Sequence, residues 1–160
     1  RQPEPLDDIV RETLNLVQQQ LAHHKVRAKV ELAATDSQVS ADRVQLQQVI
    51  INLIINACHA MDAVKVHERT LHIRTWMEDD EVLLEVTDHG TGIAPEVLPS
   101  LFNAFFTTKE NGLGMGLSIC RSIIDFHDGR IWATSEAGQG TSFRFALPRL
   151  TCTAVSGSEQ

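Results

Sequence analysis

Hydrophobic residues recur along the chain with two different periods, and the change from one period to the other predicts the secondary structure. Helical spacing of the apolar positions predicts three helices, over residues 6–23, 42–63 and 114–127. Alternation of apolar and polar positions predicts five strands, at 26–32, 71–77, 82–86, 130–135 and 141–147. The acidic turn 78–81 separates the second strand from the third and makes a hairpin of them.

The order of these elements is helix, strand, helix, two strands, helix, two strands. Because each amphipathic element needs a partner layer, this order predicts an α+β fold, a two-layer α/β sandwich. We expect a mixed sheet of about five strands with three helices on one face. The 160 residues suit one domain, which we place at 1–150. Residues 151–160 are small and polar, which predicts a flexible C-terminal tail.

The net charge of −7 argues against a nucleic-acid-binding surface, because phosphate backbones require a basic patch. The three cysteines lack C-x-x-C spacing and no histidines stand near them at ligand spacing, so we expect reduced thiols and no zinc. No signal peptide is visible, and the most apolar stretch, 49–57, is too short to span a bilayer. We expect a cytoplasmic domain, in a protein that is soluble or attached to a membrane through parts outside this sequence.

A polar stripe runs along the helix predicted over 42–63. Its members stand three or four residues apart and so share one side of the helix, namely Gln45, Gln48, Asn52, Asn56 and His59. The residues around them are mostly apolar. A buried amide is costly unless it is hydrogen-bonded or coordinates a ligand, so the stripe is a candidate binding site. A stripe that faces solvent or bonds to neighbouring backbone fits this segment equally well.

The segment Asp88-His89-Gly90-Thr91-Gly92 directly follows a predicted strand. Asp88 has the parity of the apolar strand residues Leu84 and Val86, so its carboxylate points toward the core. Such a carboxylate needs a donor, and the exocyclic amine of adenine is one candidate. Glycine lets the backbone approach a flat ring closely. Taken alone, the segment fits a plain Asp/Gly turn better.

The glycines Gly112, Gly114 and Gly116 stand at the start of the helix predicted over 114–127. Glycine amides at a helix N-terminus can cradle a phosphate, and the preceding loop, 89–113, is long enough to act as a lid. The segment is not a dinucleotide fingerprint, because Leu117 replaces its last glycine and no strand precedes it. It is not a Walker A loop either, because no Gly-Lys-Ser/Thr follows.

Three phenylalanines fall within five residues of this polar loop, at Phe102, Phe105 and Phe106. We expect them to anchor the loop to the core, and Lys109 to supply a cation for a phosphate. A small apolar patch under a long loop is the simpler interpretation of the segment alone.

Taken together and in this order, the segments resemble the catalytic domain of sensor histidine kinases, within the gyrase/Hsp90/MutL-type ATPase superfamily. Five motifs carry the resemblance: Gln48–Ala57 resembles the N box, Asp88–Ile93 the G1 box, Phe102–Lys109 the F box, Gly112–Leu117 the G2 box and Gly138–Phe143 the last glycine motif. The resemblance covers about residues 6–148 and implies the Bergerat ATP-binding fold. The run 114–124 resembles the subgroup often found behind PAS sensor domains.

The resemblance implies roles for individual residues. Asn56 would ligate Mg²⁺, Asn52 would lie beside the triphosphate, and Asp88 would accept from the adenine amino group with Thr141 in the same network. His59 stands where the family often has Lys or Arg near the phosphates. The remaining nucleotide contacts would come from the G1, F and G2 boxes, at Gly90, Gly92, Ile93, Phe105, Thr108, Lys109, Gly112, Leu113, Gly114, Met115, Gly116 and Leu117.

The implied activity is transfer of the ATP γ-phosphate, leaving ADP, to a histidine on a dimerisation hairpin that this chain lacks. The domain alone is therefore not expected to phosphorylate itself. Its implied partners are ATP, the hairpin of the same kinase and, indirectly, a response regulator, and the isolated chain is expected to be a monomer. No Glu stands at position 52 to activate water, so we expect slow ATP hydrolysis. The alternatives are a gyrase-, Hsp90- or MutL-type ATPase, and a nucleotide-binding scaffold without transferase activity.

The other histidines do not suggest an acceptor. His67-Glu68 lies in a loop without the long helix of an H box, and His23-His24 is expected to be solvated. We expect His72, His89 and His127 at ordinary surface or turn positions. Asp128-Gly129 stands where relatives often have Gly-Gly, in a turn outside the pocket where we expect little effect.

Overall fold

The computed structural model describes residues 1–103, 113–136 and 138–150, without the side chains of 113–115 and 136. In chain order the helices and strands are β1 (Gln2–Pro5), α1 (Leu6–Leu16), α2 (Gln18–His23), β2 (Arg27–Leu32), β3 (Gln38–Ala41), α3 (Arg43–Met61), β4 (Thr70–Glu78), β5 (Glu81–Thr87), α4 (Leu113–Phe126), β6 (Arg130–Glu136) and β7 (Gly140–Leu150). The predicted α+β sandwich with a mixed sheet is confirmed. In the described part of the chain, no helix has both the length and the apolar character needed to cross a membrane.

The sheet is built around β7, which pairs antiparallel with β5 on one side and with β6 on the other. From β5 the sheet continues through the antiparallel β4 to β2, which runs parallel to β4. All five predicted strands are present. Two short strands are additional: β3 pairs with the last residues of β7, and β1 pairs with β3. Their sequences are short and polar, and β1 contains two prolines, which are tolerated at a sheet edge.

One face of the sheet and one side of each helix form the core. The inward side chains of β4, β5 and β7 alternate along their strands, and α3 packs over them between α1 and α4. Most sides of α3 carry apolar side chains that are buried in the core. They include Leu46, Ile50, Leu53 and Ile54, which have no exposed surface. The Asp42 carboxylate caps α3 by accepting a hydrogen bond from the Gln45 amide. A central helix held in this way gives its polar stripe a fixed place.

The single helix predicted over 6–23 is wrong, because the chain breaks into α1 and α2 at Val17. One turn earlier, the Thr13 hydroxyl donates to the Ile9 carbonyl oxygen at 2.7 Å. Such a bond from a side chain to the preceding turn bends helices. Apolar spacing alone does not register this break, because Leu14, Val17 and Leu21 keep a helical period across it.

His127 lies in the turn that follows α4, one of the two kinds of position expected for it, but it is buried, with 1% of its surface exposed. Its Nδ1 lies 2.8 Å from the Ile123 carbonyl oxygen, and its Nε2 lies 3.0 Å from the Asp42 amide nitrogen. Since the amide must donate, Nε2 accepts and Nδ1 carries the proton. His127 therefore joins the C-terminal turn of α4 to the residue that caps α3.

The other face of the sheet is covered by charged and aromatic side chains instead of helices. Glu85 on β5 is 5% exposed and accepts from Arg74 at 2.8 Å and from Arg144 at 2.6 Å. Burial raises the pKa of Glu85, but the hydrogen bonds and charges of the two arginines outweigh it, so the pKa lies below its usual value. Arg74 also lies over the ring of Trp76. The two arginines thus compensate the buried charge of Glu85.

Candidate nucleotide-binding site

Asp88 follows β5 directly and points to the helix side of the sheet, as its parity predicts. Its carboxyl group is 2% exposed. Oδ1 accepts hydrogen bonds from the amides of Gly90 at 2.8 Å and Thr141 at 3.2 Å. No described residue donates to Oδ2. The protein thus fixes one carboxylate oxygen with its own backbone and leaves the other for a donor from outside.

Burial is the main influence on the ionisation of this carboxyl group. It raises the pKa of Asp88 to about 6, against the opposing effects of the Gly90 and Thr141 amides and of the neighbouring His89. The carboxylate is therefore poorly solvated within the protein. A ligand that donates a hydrogen bond to it would replace part of the missing hydration.

Two glycines allow the backbone to pack closely on both sides of Asp88. A Cβ atom on Gly90 would lie 2.5 Å from the carbonyl oxygen of Ala60, so Gly90 brings the loop after β5 directly against the end of α3. Gly140, which has a φ of 108°, lies equally close to Asp88 on the other side. The two glycines hold the carboxylate between α3 and the start of β7.

Ser135 on β6 joins the two glycine-containing segments, and the sequence did not indicate it. Its Oγ accepts from the Ile93 amide at 2.7 Å and donates to the Gly140 carbonyl oxygen at 2.9 Å. Its one proton is then used, so the buried Thr141 hydroxyl, 3.0 Å away, donates to it. Ser135 thus joins Ile93, predicted as a nucleotide contact, to Thr141, predicted near the Asp88 network. A strand serine gives no signal of such a role.

The polar stripe of α3 lies partly at the surface, and its members differ in exposure. Asn52 and Asn56 are half-buried, whereas Gln48 and His59 are exposed. The Asn52 amide Nδ2 faces α4, 3.7 Å from Cys120 Sγ and 3.6 Å from where a Cβ on Gly116 would be. Predicted residues from the N box and the G2 box thus lie together at the junction of α3 and α4.

Asn56 retains an unsatisfied amide. Three buried side-chain atoms lack a hydrogen-bond partner in the described part of the protein, and all belong to amides of α3: Gln45 Oε1, Gln47 Nε2 and Asn56 Nδ2. A buried, unpaired amide is costly, and of the three residues Asn56 lies nearest Asn52 on the predicted stripe, which makes its Nδ2 a candidate donor to a ligand. Among the described residues, no group of three or more His, Cys, Asp or Glu could hold a metal.

His59 lies one turn beyond Asn56, and its imidazole is exposed. Its ring contacts that of His24, with ring centroids 5.3 Å apart and planes at 63°. His24 is not solvated as expected, because its side chain is only 14% exposed and its Nδ1 lies 2.8 Å from Asp62 Oδ1. A short loop brings His24 beside α3, a contact between distant segments that the sequence did not indicate.

Several predicted contacts cannot be placed. Phe105, Thr108, Lys109 and Gly112 lie outside the described residues. The backbone of Leu113, Gly114 and Met115 begins α4, as predicted for the glycine segment, but their side chains are not described.

Two neighbouring predictions do fall on described residues. Leu117 is fully buried in the core, so only its backbone is available to a ligand. Of the phenylalanines expected to anchor the loop, Phe102 does so, with its ring edge-on to Phe143 at 6.2 Å.

Comparison with known proteins agrees with this arrangement. Residues 41–151 match the family described as histidine kinase-, DNA gyrase B- and HSP90-like ATPases. The match covers more than half of the chain and includes every described site residue except His24, so the chain belongs to this family. Within it, the chain is the ATP-binding catalytic domain of a histidine kinase, homologous to sensor kinases of two-component systems.

Individual relatives support the same assignment. The sensor protein FixL of Bradyrhizobium diazoefficiens is 51% identical over 110 residues, which are 69% of this chain and 22% of FixL. The catalytic domain of histidine kinase ThkA, in a nucleotide-free form, has a TM-score of 0.79 at 33% identity, covering 91% of this chain and 93% of that one. ThkA has also been solved in complex with the response regulator TrrA, where the TM-score is 0.77 at 32% identity and the coverage is 92% of this chain and 41% of that one. This chain spans about a fifth of the length of FixL.

Proposed function

We propose that the chain binds ATP with Mg²⁺ and presents the γ-phosphate to a histidine on a helical hairpin outside this sequence. The observation that carries the proposal is the buried Asp88 carboxylate, whose Oδ1 is held by two backbone amides and whose Oδ2 has no described donor. A buried carboxylate oxygen without a donor recognises a hydrogen-bond donor such as an amine. The exocyclic amine of adenine has that chemistry.

The residues around Asp88 support adenine over a smaller amine. Gly90 packs directly against Ala60 at the end of α3, so the loop that follows Asp88 is held close to the helix that carries Asn52 and Asn56. The Ser135 hydroxyl fixes the relative positions of Ile93 and Thr141. The pocket is therefore pre-organised, which lowers the entropic cost of ordering it on binding.

Asn56 fits the proposed metal. Its Oδ1 is an amide oxygen, the kind of ligand that Mg²⁺ accepts alongside phosphate oxygens and water. Its buried, unpaired Nδ2 is a donor and can bond to a phosphate oxygen. When bound there, Mg²⁺ would neutralise charge on the phosphates. Asn52 is kept in place by α4 through its contacts with Cys120 and Gly116, and its amide can orient a phosphate. His59 offers an N–H donor one turn further along α3.

Phosphoryl transfer requires mainly positioning and charge stabilisation, which these groups supply. The attacking imidazole would come from the hairpin, so the chain alone holds ATP without an acceptor. The partners we propose are this hairpin and, after transfer, a response regulator. In support, the ThkA kinase was solved with its response regulator TrrA.

The first experiment is a calorimetric titration of ADP and a non-hydrolysable ATP analogue, each with and without Mg²⁺. Wild type is compared with Asp88→Asn, which keeps the carbonyl oxygen that accepts from Gly90 and Thr141 but changes Oδ2 from acceptor to donor. We expect binding of both nucleotides to wild type, a large loss of affinity in Asp88→Asn, and a Mg²⁺-dependent component for the ATP analogue.

A supplied phosphoacceptor hairpin and radiolabelled ATP then test the transfer step. Labelling of the hairpin histidine is the expected result. Nucleotide binding without labelling by any cognate hairpin would instead make the chain a nucleotide-binding scaffold. Folded wild type that binds no nucleotide would overturn the whole proposal.

A further inference from the structure

His59 is exposed, and none of the described side chains forms a hydrogen bond with its ring. A free imidazole on a helix surface samples several rotamers, and such sampling reduces its ability to orient a phosphate. The contact that restricts it is with the ring of His24, at 5.3 Å between centroids. The edge-inclined geometry, 63° between planes, is one that aromatic rings favour.

His24 is itself firmly held. Its Nδ1 pairs with Asp62 Oδ1 at 2.8 Å, and its side chain is 14% exposed. Asp62 is the C-cap residue of α3, three residues after His59. The hydrogen bond between His24 and Asp62 therefore attaches His24 to the helix that carries His59. The ring of His23 contacts the His24 ring at a centroid separation of 5.1 Å. His24 is thus fixed by a hydrogen bond and by ring contacts.

Arg69 fixes the backbone under this cluster. Its guanidinium donates to the carbonyl oxygens of His24 at 2.8 Å, Asp62 at 3.0 Å and Val64 at 3.0 Å. His24 is the C-cap residue of α2, Asp62 is the C-cap residue of α3, and Val64 follows shortly after it. One side chain therefore joins the C-terminal ends of both helices and keeps His24 beside His59.

We propose that His24, anchored by Asp62, is a positioning residue that holds the His59 imidazole for contact with the terminal phosphate of the nucleotide. The proposal rests on the proposed nucleotide function and deepens it, because it adds a residue far from the recognised motifs. His24 does not touch the nucleotide in this scheme and acts only through His59. Its removal should therefore affect recognition of the γ-phosphate and spare recognition of adenine.

The test measures the affinity of the chain for Mg-ADP and for a Mg-bound non-hydrolysable ATP analogue, and takes their ratio as the γ-phosphate contribution. The variants are His24→Ala, His59→Ala, the double variant and Asp62→Ala. Asp62 is half-exposed, so its removal breaks the anchor with little risk to folding. His67→Ala, a change at a histidine that is 75% exposed, is the matched control.

We expect His59→Ala to lower the ratio roughly tenfold and His24→Ala to lower it about threefold, with ADP affinity unchanged in both. Asp62→Ala should act like His24→Ala, and His67→Ala should have no effect. The double variant should match His59→Ala alone, because a residue that acts through His59 has nothing left to position.

Three results would overturn the proposal: an unchanged ratio in His24→Ala, an additive effect in the double variant, or an equal loss for ADP and the analogue. Failure of the nucleotide function itself looks different, since wild type would then bind neither ligand.

Discussion

Gly140 lies so close to Asp88 that a Cβ atom on Gly140 would stand 2.1 Å from the Asp88 carbonyl oxygen. Its φ of 108° is also one that side-chain-bearing residues rarely adopt. The glycine motif at the start of β7 therefore sets the position of the carboxylate that we assign to adenine recognition. The two segments lie about 50 residues apart in sequence and are also joined by a hydrogen bond from the Asp88 amide to the Thr141 carbonyl oxygen.

We expect Gly140→Ala to lower the free energy of unfolding by roughly 2–4 kcal/mol and to abolish measurable ADP binding, because the added methyl group must displace the Asp88 backbone. Gly138→Ala is the matched control. Gly138 also has a positive φ, 80°, but nothing lies within 4 Å of its Cβ position. That change should cost only about 1 kcal/mol of backbone strain and leave ADP affinity intact. Urea denaturation and calorimetry measure both effects, and equal losses in the two variants would contradict this account.

Ionisation of Asp88 should lower the free energy of unfolding, by an amount that depends on pH. Its pKa is about 6 in the folded chain, whereas an aspartate in an unfolded chain has a pKa of about 4. Folding thus favours the protonated form, so the contribution of Asp88 to stability is greatest below pH 4 and falls as the pH rises to about 6. Above that pH, Asp88→Asn should be more stable than wild type by up to roughly 3 kcal/mol.

Thermal unfolding of wild type and Asp88→Asn between pH 4 and 8 tests this expectation. The difference in melting temperature should grow up to about pH 6 and then stay constant. Other carboxyl groups, including Glu85, titrate in both proteins and cancel in the difference. If the difference in melting temperature did not change with pH, the pKa of Asp88 would be the same in the folded and unfolded chains, and the prediction would be wrong.

The sequence predicts those features that depend on local pattern. The three helical regions and five strands follow from the period of apolar residues, and Asp88 is correctly oriented by strand parity. Features that depend on which distant segments become neighbours were missed or misjudged. Ser135 looks like an ordinary strand residue and His24 like a solvated histidine. His127, expected at a surface or turn position, gives no sign of its buried hydrogen bond to the cap of α3. The short strands β1 and β3 likewise exist through pairing, β3 with β7 and β1 with β3, and carry no apolar alternation of their own.

Asp128 should be a point where the fold can be stabilised. The turn after α4 has the hydrogen bonds of a Schellman motif, from Gly129 to Ile124 and from Asp128 to Asp125. Asp128 occupies its left-handed position, with a φ of 62°. Because glycine fits that position without steric cost, Asp128→Gly should raise the free energy of unfolding by about 0.5–1 kcal/mol.

The neighbouring change Asp125→Gly is the control for this prediction. It places glycine inside the last turn of α4 and should lower stability by about 0.5–1 kcal/mol. ADP affinity should stay at the wild-type value in Asp128→Gly, since the turn lies outside the proposed pocket. A loss of nucleotide affinity there would show that this turn is coupled to the site.

His127 should be a major stabilising residue, although no proposed ligand contact involves it. Its ring joins the end of α4 to the cap of α3, and both ring nitrogens are hydrogen-bonded inside the protein. His127→Ala leaves the Asp42 amide and the Ile123 carbonyl without these partners and opens a cavity. We expect a loss of roughly 2–4 kcal/mol in urea denaturation. His67→Ala, which removes a 75% exposed ring, should change stability by less than about 0.5 kcal/mol. If the two variants were equally stable, the helix junction would have to be held by the apolar contacts of α3 and α4 alone.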